Sequence, residues 1–135
     1  MASATNFLEL KLLDHLVGNI DYDPGTLFLV LCTAVSNSEA GTITEVSNSG
    51  TAYTRQSLAA SKWAAAASGS CSTDENIQFS TATANYGTVT HIAIADASAQ
   101  GGGNILITQQ LTSAKTVETG DTFVVNTGNL TINLT

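Results

Sequence analysis

Thr88-Val89-Thr90-His91-Ile92-Ala93-Ile94-Ala95-Asp96 is the stretch that decides the fold. Ile92 and Ile94 fall on one register, and His91, Ala93 and Ala95 on the other. That two-residue period belongs to a strand. Tyr86-Gly87 opens the segment, and Gly101-Gly102-Gly103 leads from it to a second apolar run, Ile105-Leu106-Ile107. Glycine permits the positive φ that a tight reversal needs, so the two runs are predicted to be connected strands.

Outward from this pair the same pattern repeats. Thr26 to Val35 is a long, nearly continuous apolar run, expected to be a strand buried on both faces for part of its length. Shorter strands are predicted at 42–46, 52–58, 76–80, 104–111, 122–126 and 129–134. Turns are expected at Asp21-Tyr22-Asp23-Pro24-Gly25, at Glu118-Thr119-Gly120-Asp121 and at Asn126-Thr127-Gly128-Asn129. The stretch 61–72 reads as a loop that packs Trp63 inward. The one leucine-rich segment, 6–17, is different. Phe7, Leu10, Leu13, Leu16 and Val17 fall near one face of a helix, and Leu8 and Leu12 widen that stripe. Asn6 with Glu9 three residues on suits its start, and Gly18-Asn19 its stop. About eight short strands after one short helix give a mainly β protein. The expected form is a single antiparallel sandwich or jelly-roll-like domain over 1–135, with helix 6–17 and strands within 26–134.

Composition narrows the function. Four Lys+Arg stand against 11 Asp+Glu, a formal net charge of −7. Lys11, Arg55, Lys62 and Lys115 are scattered, which argues against direct nucleic-acid binding and against anionic membranes. No stretch approaches the roughly 18–20 apolar residues of a membrane span. The N-terminal segment has no basic region before its apolar positions, and Glu9, Lys11 and Asp14 interrupt them, so a signal peptide is not expected. Cys32 lies in the long apolar run and is expected to be buried, Cys71 in a Ser/Gly stretch and exposed. No disulfide between them is anticipated.

Reaction chemistry is hard to assemble from what remains. His15, Asp21 and Asp23 have no recognised metal-ligand spacing; a histidine at a helix C-terminus beside an Asp-built turn accounts for them. A nucleophilic pair of His91 with Cys32 or Cys71, such as a Cys71–His91 hydrolase, would need an orienting carboxylate that the spacing does not supply. The three consecutive glycines lack the lysine and following helix of a phosphate loop. Asn129-Leu130-Thr131 and Asn133-Leu134-Thr135 match an N-glycosylation pattern only formally. Neither cofactor, nor metal, nor catalytic residue is expected.

The ordered segments carry a resemblance. Leu12-Leu13-Asp14-His15-Leu16, Pro24-Gly25-Thr26-Leu27-Phe28-Leu29, Ala52-Tyr53-Thr54-Arg55, Trp63, Ile77-Gln78-Phe79, Ala82 to Thr90, Gly103-Asn104-Ile105-Leu106, Lys115-Thr116-Val117 and Leu130-Thr131-Ile132 follow one another in this order. Over roughly residues 7 to 134 the chain resembles a family of small tailed-bacteriophage structural proteins often labelled tail-fibre proteins. Thr54 departs from the commoner pattern, in which Ala-Arg follows the tyrosine directly. The resemblance implies a non-enzymatic virion component, assembled in the host cytoplasm. Because the chain has no intertwining shaft repeat, the first expectation is a head decoration (cement) protein. It would bind major capsid protein or other virion proteins as a homo-oligomer, a trimer being favoured, with Phe7, Leu8 and Leu12 as assembly contacts. The alternative is a tail-fibre or tail-tip receptor-binding module, with Tyr22, Tyr53, Trp63 and Tyr86 stacking on sugar rings.

Overall fold

The computed structural model describes residues 2–134. Strand β1 (Ala2–Ala4) precedes helix α1 (Asn6–Leu16), and nine strands follow. They are β2 (Leu27–Asn37), β3 (Thr42–Glu45), β4 (Gln56–Leu58), β5 (Ser70–Ser72), β6 (Ile77–Gln78), β7 (Gly87–Ala95), β8 (Ile105–Val117), β9 (Val124–Val125) and β10 (Thr131–Asn133). β1 and five of these form one six-stranded sheet in the order β1-β8-β7-β2-β3, with β4 pairing to the other end of β2. Two two-stranded ribbons, β5 with β10 and β6 with β9, complete the set.

The deciding stretch is β7, at the centre of the sheet. Its Ile92 and Ile94 stand opposite Leu31 and Leu29 of β2, and Ile94 stands opposite Ile107 of β8. These side chains share one large core with Ile77, Phe79, Phe123, Val125 and Leu130 from the ribbons and their flanks. The ribbons therefore lie over one face of the sheet, a sandwich-like arrangement. On the alternate register Val30, Cys32, Ala93 and Ala95 form a second, smaller cluster, with Val35, Ile43 and Ile105 against it. Burial on both registers explains why β2 reads as an unbroken apolar run.

Aromatic rings fill the middle of the large core. Tyr53 stacks on Phe79 at 6.0 Å, Tyr86 meets Tyr53 edge-on at 5.7 Å, and Phe123 meets Phe79 edge-on at 5.9 Å. Offset and edge-on geometries are the ones the ring quadrupole favours.

Several elements differ from expectation. The strand predicted at 52–58 is only Gln56–Leu58, because Ala52 takes a positive φ of 63° and Tyr53 turns inward. Thr51 fixes that turn: its hydroxyl accepts from the Tyr53 amide at 3.2 Å. Within the stretch predicted as a loop, Ser70–Ser72 is a strand paired with β10, and Trp63 bridges to Thr73. Cys71 is accordingly half-buried rather than exposed, and both cysteines are free thiols. Strand β1 has no counterpart in the sequence reading; three small residues carry too little pattern to register. The first turn of α1 is capped by Thr5 rather than Asn6, through a hydroxyl that accepts from the Leu8 amide at 3.3 Å. Thr135, the last residue of the second glycosylation-type triplet, lies outside the described residues.

Candidate assembly surface

Helix α1 is fixed at its first turn and displayed beyond it. The Thr5 amide donates to the Leu106 carbonyl at 2.9 Å, the Thr5 hydroxyl to the Ile105 carbonyl at 2.8 Å, and the Asn6 amide to the Glu39 carbonyl at 2.8 Å. Leu8 is buried among the core residues. Phe7 is half-buried, with the Tyr22 ring edge-on at 6.5 Å and the Lys11 ammonium 5.7 Å from its own ring centre. At the other end Gly18, with φ 80°, donates to the His15 carbonyl, and Asn19 donates to the Asp14 carbonyl. This pair of bonds is the glycine-dependent helix stop that Gly18-Asn19 suggested.

Between these two ends the apolar stripe faces solvent. Leu10 is 64% exposed, Leu13 58%, Leu16 80% and Val17 67%, with Leu12 at 41% and Ile20 at 49% beside them. Of the three contacts expected from sequence, Leu12 lies at the margin of this surface, Phe7 is half covered by Tyr22, and Leu8 belongs to the chain's own interior. The residues that dominate the surface, Leu10, Leu13, Leu16 and Val17, were legible as a stripe. Helical periodicity identifies such a stripe without saying which way it turns. The signal that it faces outward is its excess width: one sheet cannot cover seven apolar side chains around a single short helix.

A second cluster of polar side chains sits at the opposite end of β3, and it is structural. Arg55 and Glu45 form a two-pronged ion pair, Nε to Oε2 at 2.9 Å and Nη2 to Oε1 at 2.7 Å, with side chains only 1% and 7% exposed. The Nη1 group of Arg55 donates to the carbonyls of Ala97 at 2.8 Å and Gly102 at 3.0 Å. Glu45 also accepts from the Tyr53 hydroxyl at 2.8 Å and from the Gly101 amide at 3.2 Å. Burial alone would push the Glu45 carboxyl up, but the bonds from Arg55, Tyr53 and Gly101 outweigh it and hold the pKa below the usual range. Burial likewise raises the Tyr53 phenol, so its proton stays in place and donates. Arg55 thus has a definite job: it clasps the β7–β8 connection onto the end of the sheet.

The aromatics expected on a receptor-binding surface do not converge on one. Tyr53 and Tyr86 are 2% and 5% exposed, their rings occupied by the core and their hydroxyls by Glu45 and the Ser80 carbonyl. Trp63 is half-buried and donates its indole N–H to the Leu58 carbonyl at 3.1 Å. Tyr22 lies apart from them, against Phe7.

Strand register brings together one set of residues that spacing could not reveal. Cys32 stands opposite His91 on β7 and opposite Glu45 on β3, a thiol between an imidazole and a carboxylate on one face. The environment is the reverse of an activating one. Cys32 is fully buried, and burial followed by the nearby Glu45 charge pushes its pKa up to about 12. A nucleophilic cysteine needs its thiolate favoured, and here it is suppressed. His15 is exposed, and its Nδ1 accepts from the Tyr22 amide at 3.2 Å. Among the described residues no three His, Cys, Asp or Glu side chains gather as metal ligands, and no helix is long and apolar enough to cross a membrane.

The family described as Podophage GP4 fiber I protein gp80 matches residues 3–133. The chain belongs to this family. The match takes in α1, both ribbons and the six-stranded sheet from Ser3 of β1 onward. Among curated proteins no match is found. As a fibre I family member the chain is a non-enzymatic phage structural protein of the virion. That identity corrects the order of the two expectations drawn from sequence: the fibre alternative fits it better than the head-decoration role.

Proposed function

We propose that this chain is a subunit of a virion fibre at the tail, working by protein–protein contact. The observation that carries this reading is the match of a fibre family to almost every residue of the chain, helix included. Head decoration through the major capsid protein was inferred from compactness and the lack of a shaft repeat. A globular end-piece or adaptor within a fibre satisfies both observations equally well, and only the fibre reading also has the family behind it.

The physical design suits such a part. The surface is rich in Thr, Ser and Asn and poor in charge, so a contact strips few ions of water. Hydroxyl pairs, Thr88 with Thr116 at 3.0 Å across β7 and β8 and Thr81 with Thr122 at 2.7 Å between the segments flanking β6 and β9, stiffen exposed faces without charge. The Arg55–Glu45 clasp keeps the β7–β8 connection rigid, and α1 offers an uncovered apolar face.

Antibody labelling of intact particles, with quantitative mass spectrometry of the copy number, tests the reading. Label at the tail with a dozen or so copies per particle is expected. Label spread over the head, with hundreds of copies, would return the protein to head decoration.

A further inference from the structure

We infer that the groove between β8 and the β6–β9 ribbon takes an extended segment of another virion protein, added as a strand to the free edge of β8. The fibre reading says only where on the particle that partner is sought; the groove argument stands on its own geometry. Strand β8 outruns the strand beside it. β1 pairs only with Ile107, Thr108 and Gln109, and among the described residues no strand pairs with the outer edge of 111–116. These residues span at most about 20 Å. The same stretch is bulged: residues 111–114 stand opposite Thr90 alone, between the Val89–Lys115 and His91–Gln110 pairs. A row of unpaired strand N–H and C=O groups is a template for another extended backbone.

The groove beside this edge has the lining such a segment needs. It measures about 790 Å³, within the range of a built binding site. Buried Ile92, Val117, Phe123 and Val125 line it from the core, with half-buried Leu111 on the β8 side. A strand laid there puts every second side chain on this apolar floor and the others in water. Gln109 marks where the backbone passes. It lines the groove, and its Oε1 is buried without a hydrogen-bond partner. A buried acceptor in that state costs free energy until a donor reaches it. A carboxamide also sets a donor beside its acceptor, the complement of a peptide C=O and N–H. An oligosaccharide fits less well. Phe123 is the only ring in the lining, and it is buried edge-on against Phe79, so no open ring face awaits a sugar.

Charge selects among such segments. Lys115 stands opposite Val89 on the core-facing register, lines the groove and forms no ion pair among the described residues. The other charged residue of the lining, Asp121, is held to its own turn, where it accepts from the Glu118 amide at 2.9 Å. A lysine on an open edge discourages indiscriminate pairing. It favours a strand that brings a carboxylate.

Overlapping peptides of about ten residues from the other virion proteins, titrated against the full-length chain, test this. The tightest is expected to be alternately apolar, to carry an Asp or Glu, and to bind in the micromolar range. Methylating its backbone nitrogens one at a time should abolish binding at every second position and spare it between, as strand pairing requires. Amide exchange at 111–116 should slow in the complex. Gln109→Leu removes an unpaired polar atom, so it should keep or raise the melting temperature while weakening the peptide at least about 10-fold. Lys115→Glu, at the surface, should weaken it too without changing the melting temperature. No peptide bound more tightly than about 1 mM, methylation effects without alternation, unchanged exchange at 111–116, or full affinity in Gln109→Leu each overturns the inference. So does tighter binding in the groove by an oligosaccharide or by a peptide of this chain, since either gives the site to a different occupant. A tightest peptide drawn from a head protein would refute the tail reading and leave strand addition standing.

Discussion

Arg55 carries a positive charge that water cannot reach, and everything it touches depends on it staying paired. Its side chain is 1% exposed and joins Glu45 on β3 to the Ala97 and Gly102 carbonyls on the β7–β8 connection. Replacing one member of a buried pair strands the other in a medium that solvates it poorly. Arg55→Met is expected to cost about 3–5 kcal/mol in urea unfolding. Glu45→Met combined with Arg55→Met should cost less than the sum of the singles, because no charge is then left unpaired. The pair also sets an acid limit. The Glu45 carboxyl gives up its proton more readily when folded than when unfolded, so the unfolded chain binds more protons in acid. Its contribution is complete above the unfolded value of about 4.3 and is lost as pH falls through the lower folded value. Urea midpoints between pH 7 and pH 3 should fall for the native chain. For Glu45→Gln they should fall less steeply over the same range; equal slopes would mean that other carboxylates set the acid limit. At this scale the sequence was nearly silent. Glu45, Tyr53 and Arg55 stand in two segments whose meeting depends on sheet register, and Thr54 removed the one familial cue to the role of Arg55. The Cys32, His91 and Glu45 row was hidden for the same reason, being a product of pairing between strands rather than of spacing along one.

Elements were far more legible where a period extended over enough residues. The alternation in 88–96 and the apolar run at 26–35 correspond to β7 and β2, and the Gly-rich turn does join β7 to β8 in antiparallel register. Short elements with hidden partners were not legible: Ala2–Ala4 and Ser70–Ser72 are strands because β8 and β10 offer them an edge, not because their residues prefer to be. The β7–β8 connection lets the role of glycine be tested position by position. Gly103 has φ 68°, and a Cβ there would run into the Asp96 carboxylate oxygen and the Ala97 side chain. That carboxylate is not free to move, since it accepts from the Asn104 amide at 2.6 Å and from the Asn104 side chain at 3.0 Å. Gly101 has a similar φ of 71°, with nothing near the place a Cβ would take. Gly101→Ala should therefore cost about 1 kcal/mol, the backbone strain alone. Gly103→Ala should cost at least about 2 kcal/mol, strain plus collision. Chemical denaturation of the two variants in parallel measures the difference, and equal costs would mean that the connection yields where the hydrogen bonds say it is held.

For the molecule as a whole, the question is whether the N-terminal segment is an appendage for assembly or part of the fold. From sequence alone a leucine-rich helix ahead of a threonine-rich sheet leaves both readings open. The structure divides the segment differently, by residue rather than by element. Ala2–Ala4 closes the edge of β8, Thr5 is 1% exposed, and Leu8 is in the core, whereas Leu10, Leu13, Leu16 and Val17 touch little of the chain. Cutting the segment off therefore does two things at once. It removes the outward face, and it also bares the backbone donors and acceptors of a sheet edge, an invitation to aggregation. Losing Leu8 from a packed core costs about 2–5 kcal/mol, and losing the Thr5 cap and its bonds adds about 1 kcal/mol. For a chain of this length each 1 kcal/mol is about 3–5 °C in melting temperature. Deletion of residues 1–18 should thus lower the melting temperature by at least about 10 °C and reduce solubility. Leu8→Ala alone should reproduce much of the thermal loss, and Leu13→Glu with Val17→Glu none of it. Circular dichroism melts of the three proteins decide the matter. If the truncated chain melted where the native one does, β1, Thr5 and Leu8 would be ornaments on a fold complete without them, and the whole segment would have to be reassigned to assembly.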